Sequence, residues 1–423
     1  MPAPRSILVA SIVLLGACAR PQIGGIPSGG GPSASPNEAC LLSTGDVTTH
    51  AATITIGLTD AVNPRHAPTP RTDGERLVFR HLYETPVRID CDGHVQPELA
   101  QTWVRDDDGR RWTFRLRDGA QFWDGAPVTA QEVVFGRSGA GYTLGAPEAG
   151  VVTVTLAKPR DEVPPLLGDA GLAVTKAAPD TSWPIGTGRY WATSATTTPQ
   201  EIRAHTRSGD TLVFRFASGD ARDLLDAGVD LVVTRDRALR DYAATLKNYT
   251  VVPLPWDRTY VFVTPEAGGT RFDGLEQAVR AEARRPEGGF WWLDLRPCGI
   301  GGPGGAGGLG NSPPASTGQR RILYSRTDPT ARELAGRLAA LSHAVATPRG
   351  PDDLGDAVTA GKDWGYIVAL PRSASDPCRV AKDLLPAWSA TMTALVDTRP
   401  TAIVRRGVAR WTVDQDGTVH LAP

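Results

Sequence analysis

"RLRDGAQFWDGAPVTAQEVVFG", residues 115 to 136, places Asp118-Gly119 and Asp124-Gly125 on either side of the aromatic pair Phe122-Trp123. Just before it, Trp112, Phe114 and Leu116 alternate with Thr113, Arg115 and Arg117, the period of a half-buried strand. Asp118-Gly119 ends that strand, and Asp124-Gly125 closes a short second strand or extended piece. Pro127 excludes a helix at that point. Thr129 with Glu132 three residues on forms a capping box that opens a helix through Val133, Val134 and Phe135. The expected order is strand, turn, strand, turn, capped helix.

Upstream, "ATITIGLTD" (52 to 60) alternates β-branched and small residues and runs into "AVNPRHAP", a strand followed by a loop. "ERLVFRHLYETPVRI" then carries Leu77, Val78, His81 and Leu82 at helical spacing, and Asp92-Gly93 marks a turn, so a helix leading into a short hairpin is expected.

The chain has 423 residues, 41% apolar and 22% charged, enough for two or three packing units. Its formal net charge of −1 and the lack of a dense basic run argue against a nucleic-acid partner. The N-terminus, "MPAPRSILVASIVLLGACARP", has Arg5, an apolar run from Ile7 to Leu15, and small residues before a cysteine, the pattern of an export signal. The run falls short of the about 20 apolar residues a spanning helix needs, so no transmembrane span is expected. Leu15-Gly16-Ala17-Cys18 resembles the bacterial lipobox, whose cysteine is acylated and becomes the new N-terminus, and Cys18 is therefore the candidate lipidation site. The rival reading is an ordinary secretory signal with a chance cysteine. Residues 1–18 are then a lipoprotein signal peptide and 19–49, rich in Gly, Pro and Ser, a flexible tether.

Cys40, Cys91, Cys298 and Cys378 make an even set in an oxidising compartment, which favours disulfides over metal. Three pairings are open. Cys40 with Cys91 and Cys298 with Cys378 is expected, because each pair falls within one half of the chain.

Signals for catalysis, metal and cofactor are weak throughout. Gly299, Gly301 and Gly304 match the dinucleotide pattern formally, but Pro303 and further glycines follow where a helix is required. No Gly-Lys-Ser/Thr follows a glycine loop, no Gly-x-Ser-x-Gly occurs, and the seven histidines are dispersed. The expectation is a non-enzyme with no cofactor and no metal, which leaves binding.

Several stretches carry a family resemblance in order as well as in type. They are Leu82-Tyr83-Glu84, Pro97-x-Leu99-Ala100-x-x-Trp103, Asp108-Gly109, Leu116-Arg117-Asp118-Gly119 and Phe122-x-Asp124-Gly125-x-Pro127-Val128-Thr129-Ala130. Gly186-Thr187-Gly188-Arg189-Tyr190, with Arg where the family has Pro, and "LLDAGVDLVV" at 224 to 233 continue the series. This resembles the family 5 extracellular solute-binding proteins, the peptide, oligopeptide and nickel class serving ABC importers.

The resemblance implies an α/β, two-lobed, periplasmic-binding-protein-like fold of type II with an inserted subdomain in lobe I. Mapped onto this chain, the lobe I core is 50–73, 184–265 and 396–423, the insert is 74–183, and lobe II is 266–395, shortened and carrying a Gly-rich loop at 299–318. It implies an extracytoplasmic, lipid-anchored monomer that binds a peptide-like or other small polar solute between the lobes. Its partners would be an ABC permease with its ATPase subunits, and the membrane through the lipid anchor. The ligand-binding candidates are Asn63 and His66 after the first strand, Trp256, Arg258 and Tyr260 at the crossover, and Ser373 and Asp376 in the "RSASDP" loop. Each has a plainer reading: turn chemistry for Asn63 before Pro64, strand core for Trp256 and Tyr260, a solvated edge charge for Arg258. Peptide-binding relatives hold the peptide's α-amine with an aspartate at the position of Ser373, and a neutral hydroxyl cannot supply that charge pair. Trp291-Trp292 and Trp364 with Tyr366 either line an aromatic cleft or fill a buried strand. The alternative function is an envelope scaffold or regulatory lipoprotein that keeps the fold without transport.

Overall fold

The "ATITIGL" stretch forms β1 (Thr53–Leu58), buried at Ile54, Ile56 and Leu58, in the middle of a seven-stranded sheet. The computed structural model describes residues 40–42, 52–135, 141–178, 183–192, 201–264, 319–372 and 390–422, with 272, 274–275, 277–278, 281, 290–292 and 298–300. From edge to edge the sheet runs Trp191–Ala192, Glu201–His205, Thr211–Phe216, β1, β2 (Leu231–Thr234), Thr401–Arg405 and Tyr249–Pro253. β1 is parallel to Thr211–Phe216 and to β2. Parallel neighbours require a crossover, and the one leaving β1 is long enough to carry an entire subdomain.

That crossover begins with α1 (Asp73–Leu82). Thr72 accepts the Glu75 N–H at 3.1 Å as N-cap, with acidic residues in the first turn and Arg80 and His81 in the last, the distribution the helix dipole favours. Its apolar face, Leu77, Val78, Phe79 and Leu82, packs into a core shared with Ile56, Phe214 and Trp411.

Next comes a four-stranded antiparallel sheet in the order Ala100–Arg105, Arg111–Leu116, Val151–Leu156, Tyr142–Glu148. Arg111–Leu116 buries Trp112, Phe114 and Leu116, as the period-two pattern requires. Gly119 and Gly125 sit at φ +71 and +86, where a side chain would be strained. The piece between them is not a second sheet strand, a departure from the sequence expectation. Phe122 N–H donates to Ala126 O and Gly125 N–H to Phe122 O, both at 2.9 Å, and Trp123 N–H donates to Gly186 O at 3.0 Å, so these amides are satisfied without a ladder partner. Only a bridge between Gln121 and Pro127 remains. Phe122 plugs the subdomain core, and Glu132 accepts the Thr129 N–H at 2.9 Å to start the short α2 (Ala130–Val134).

The return to the first sheet passes Gly186 and Gly188. A Cβ on Gly186 would stand 2.2 Å from Leu82 O, and one on Gly188 2.7 Å from the same oxygen. The end of α1 and this segment therefore touch through main chain, with Gly188 N–H donating to Leu82 O at 3.1 Å.

A second seven-stranded sheet is built on β3 (Arg258–Thr264), β4 (Arg321–Ser325) and β5 (Gly365–Pro371). β3 is central, buried from Thr259 to Thr264, between β5 and Ala390–Thr398. α3 (Pro329–Ser342) follows β4, capped by Asp328, which accepts the Ala331 N–H at 2.9 Å. It buries Ala331, Leu334, Ala335 and Leu338 on this sheet. The chain passes between the two sheets at residues 254–257 and again at 399–400.

Cys40 and Cys91 form a disulfide across a separation of 51 residues. The other expected pair lies outside the described residues at Cys378 and at the Cys298 side chain, as does Cys18. Among the described residues no helix is long and apolar enough to cross a membrane.

Candidate functional site

The strands of both sheets end in charged residues at a common cleft of about 1660 Å³. β1 delivers Asp60, β2 delivers Arg235, the first crossover delivers Trp256, Asp257 and Arg258, and the end of β4 delivers Asp328. β1 and β2 are parallel, as are β4 and β5. The cleft opens beyond their carboxyl ends, the usual ligand position of open α/β sheets. Its lining holds eight aspartates and eight arginines with no Glu or Lys, so it has no dominant sign.

The floor is an ion-pair network. Arg235 Nε meets Asp73 Oδ2 at 2.8 Å and its other arm bonds Asp257, while Arg258 bonds Asp73 and stands 3.7 Å from Asp328. Arg235 and Asp257 are withdrawn from solvent, their side chains 3% and 2% exposed. Two guanidinium groups thus join α1 to β2, the crossover and the start of α3. Burial opposes ionisation of Asp73, but Arg235 and Arg258 overcome it and hold its carboxyl well below the ordinary range. Asp60 behaves in the opposite way. Burial and the adjacent Asp73 charge push it up to about 7, only partly offset by the Gly74 N–H at 3.3 Å.

Residues 94–203 match the model for the bacterial extracellular solute-binding proteins, family 5. The periplasmic oligopeptide-binding protein OppA of Escherichia coli is 43% identical over 61 residues, covering 14% of this chain and 11% of that protein. The nickel-binding periplasmic protein of the same organism is 38% identical over 60 residues, covering 14% of this chain and 12% of its own. Residues 94–203 of this chain are thus similar to the family 5 extracellular solute-binding proteins. These sequence matches span about a ninth of the relatives' own lengths, whereas the fold likeness extends over most of the chain. The structure of the Escherichia coli murein tripeptide binding protein MppA superposes with a TM-score of 0.61 at 14% identity, covering 88% of this chain and 98% of that one. The α/β, two-lobed type II fold follows from that likeness.

Within this two-lobed fold the candidate residues have separate locations. Trp256 and Arg258 line the cleft. Trp256 lies under the Arg399 guanidinium at 4.7 Å, and Arg258, 14% exposed at its side chain, is an embedded network member and not a solvated edge charge. Tyr260 lies below the cleft, fully buried, its hydroxyl donating to Asp328 Oδ2 at 2.7 Å. Asn63 and His66 do not line the cleft. Asn63 Oδ1 accepts the Arg65 N–H at 3.1 Å, and His66 Nδ1 lies 2.7 Å from the buried Glu75, which fastens the loop to α1. Trp364 and Tyr366 are core residues of the second sheet. Ser373, Asp376 and the Trp291-Trp292 side chains fall outside the described residues.

Asp60, Asp73, Arg235, Asp257 and Asp328 were absent from the sequence selection. The available signal was positional: Asp60 and Arg235 stand one or two residues beyond the apolar strands "ITIGL" and "LVVT", where a parallel strand exposes its carboxyl end.

Proposed function

We propose that this chain is the extracytoplasmic solute-binding component of an ABC importer, tethered to the membrane by acyl chains on Cys18. It receives a peptide-like or other small polar solute in the interlobe cleft and passes it to a permease driven by separate ATPase subunits. One observation carries the reading: a cleft between two lobes whose lining balances eight aspartates with eight arginines. Such a lining offers partners to both ends of a zwitterion, where a single-sign cleft would reject one of them. Closure would hinge on residues 254–257 and 399–400, the two passages between the sheets.

The experiment is a thermal-shift and native mass spectrometry screen of the full chain against short peptides, amino-acid–nickel complexes, sugars and organic cations. A solute at a hundred times its dissociation constant stabilises the folded chain by about 2.7 kcal/mol. A panel that leaves the midpoint unmoved throughout removes transport from consideration.

One feature favours a second reading, an envelope scaffold or regulatory lipoprotein. Arg258 bonds Asp73 of α1 and approaches Asp328 of the second lobe, so the floor is braced by the protein's own groups. Capture from membranes separates the two: a permease among the retained proteins supports import, and an envelope-assembly protein in its place supports the scaffold.

A further inference from the structure

A second recess, of about 480 Å³, lies on the signature stretch itself, away from the cleft. Arg117, Gly119, Gln121 and Trp123 form one wall, Thr187 to Arg189 another, and Thr206 to Ser208 the third. Its lining holds three arginines and no aspartate or glutamate, unlike the balanced cleft.

The arginines differ in what occupies them. Arg117 is neutralised by Glu84 through two bonds of 2.9 and 2.8 Å. Arg189 meets Asp210 only at 3.9 Å, with both side chains about half exposed, a separation worth little in water. Arg207 has no ion pair among the described residues. It donates to Phe122 O and Trp123 O at 3.2 Å each, which holds its guanidinium 4.8 Å over the Trp123 ring. Trp123 is itself fixed, its indole N–H donating to Gly188 O at 2.8 Å. A positive charge is thus positioned over an anchored ring, with no carboxylate paired to it among the described residues.

Thr187 supplies an independent observation. The residue is 7% exposed, lines the recess, and its hydroxyl has no hydrogen-bond partner among the described residues. A buried hydroxyl left unpaired costs free energy that a ligand's acceptor oxygen would recover. Gly119 adds an open approach, since a Cβ there would meet nothing within 4 Å.

We propose that this recess binds a compact phosphate-bearing anion, with Arg189 and Arg207 contacting its oxygens and Thr187 donating a hydrogen bond. Charge-assisted bonds to a phosphate are the strong ones, and arginine's planar fork matches that group. The volume suits a small phosphomonoester, within the range of ordinary ligand pockets. A free phosphomonoester and the headgroup of an anionic lipid share this chemistry.

The test is calorimetric titration of the full chain with inorganic phosphate and glycerol 1-phosphate, and flotation with phosphatidylglycerol vesicles. Arg189→Gln, Arg207→Gln and Thr187→Val are compared with Arg326→Gln, an exposed arginine of the cleft. Saturable binding of glycerol 1-phosphate, weakened at least tenfold by each recess arginine change and unaltered by Arg326→Gln, is expected for a soluble ligand. Flotation lost in the same recess variants, without binding of the soluble ester, identifies a headgroup. The proposal is overturned if neither probe binds, if binding is indifferent to the recess substitutions, or if Arg326→Gln alone abolishes it. Arg189 and Arg207 are exposed, and unchanged far-UV circular dichroism and thermal midpoint in both variants show that a lost signal is not unfolding.

Discussion

Tyr260 donates its hydroxyl to Asp328 Oδ2 at 2.7 Å, while Asp328 Oδ1 accepts the Ala331 N–H at 2.9 Å. One carboxylate therefore joins the middle of β3 to the first turn of α3. Tyr260→Phe removes the donor and retains the ring. A hydrogen bond to a charged group is worth about 1.5–3 kcal/mol, so urea unfolding of the variant is expected to show a loss of that size. Arg258, 3.7 Å from Asp328, moderates the loss, which places it toward the lower end.

Arg235 carries a larger load. Its removal leaves Asp257, 2% exposed, with the more distant Arg258 at 3.8 Å, and takes one of two bonded guanidinium partners from Asp73. Breaking a buried pair from one side costs about 3–5 kcal/mol. Arg235→Met is expected to fall in that range in chemical denaturation, and Arg235→Met combined with Asp257→Leu is expected to recover part of it, because no uncompensated charge remains.

Asp60 and His81 are displaced from their ordinary values in opposite senses. Asp60 rises from 3.8 to about 7 through burial and the neighbouring Asp73. Its contribution to stability is therefore present below about pH 4 and lost as pH climbs through about 7. Carbon-13 NMR of the Asp60 carboxyl is expected to show a midpoint near 7, and Asp60→Asn to flatten the pH profile over that window. Ionisation also adds a negative charge to the cleft, so a cationic solute is expected to bind more tightly at pH 8 than at pH 6, and an anionic one less tightly.

His81 moves the other way. Burial and the nearby His420 lower it from 6.5 to about 3, and its ring is 2.7 Å from Leu77 O. It stays neutral in the fold and gains a proton on unfolding, so its contribution is complete above about pH 6.5 and drains away as pH falls toward about 3. The limiting slope is about 1.4 kcal/mol per pH unit. Acid unfolding of His81→Gln, followed by fluorescence, is expected to be less steep than that of the parent over this interval.

The Cys40–Cys91 disulfide closes a loop of 51 residues. In the chain-entropy description a loop of this length is worth about 4 kcal/mol. Cys91→Ser, or reduction of the parent protein, is expected to lower unfolding free energy by up to that amount, measured against the untreated chain.

How much of this was readable beforehand depended on range. The Arg111–Leu116 strand, the turns at Gly119 and Gly125 and the Thr129/Glu132 cap are set by neighbours a few residues apart, and period and turn chemistry reveal them. The segment around Phe122 was ambiguous because paired Asp-Gly turns bound a sheet strand and a loop alike, and the acceptors of its amides, Ala126 and Gly186 among them, are set by the fold. Trp256 and Arg258 could be selected for the cleft, but the partners of Arg258 could not: Asp73 is 185 residues away in the chain. Tyr260 was ambiguous for a related reason. β3 is buried on both faces, so its pattern carries no information about which side chains face a cavity and which face a helix.

Gly186 and Gly188 lie against the carbonyl of Leu82, with the Tyr83 ring beside Gly186 and the Trp123 indole bonded to Gly188 O. The carbonyl of Leu82 is a fixed neighbour that no substitution can trim away, whereas the rings of Tyr83 and Trp123 could be exchanged for smaller groups. A methyl group at either glycine therefore meets backbone that has to move, and the end of α1 would move with it.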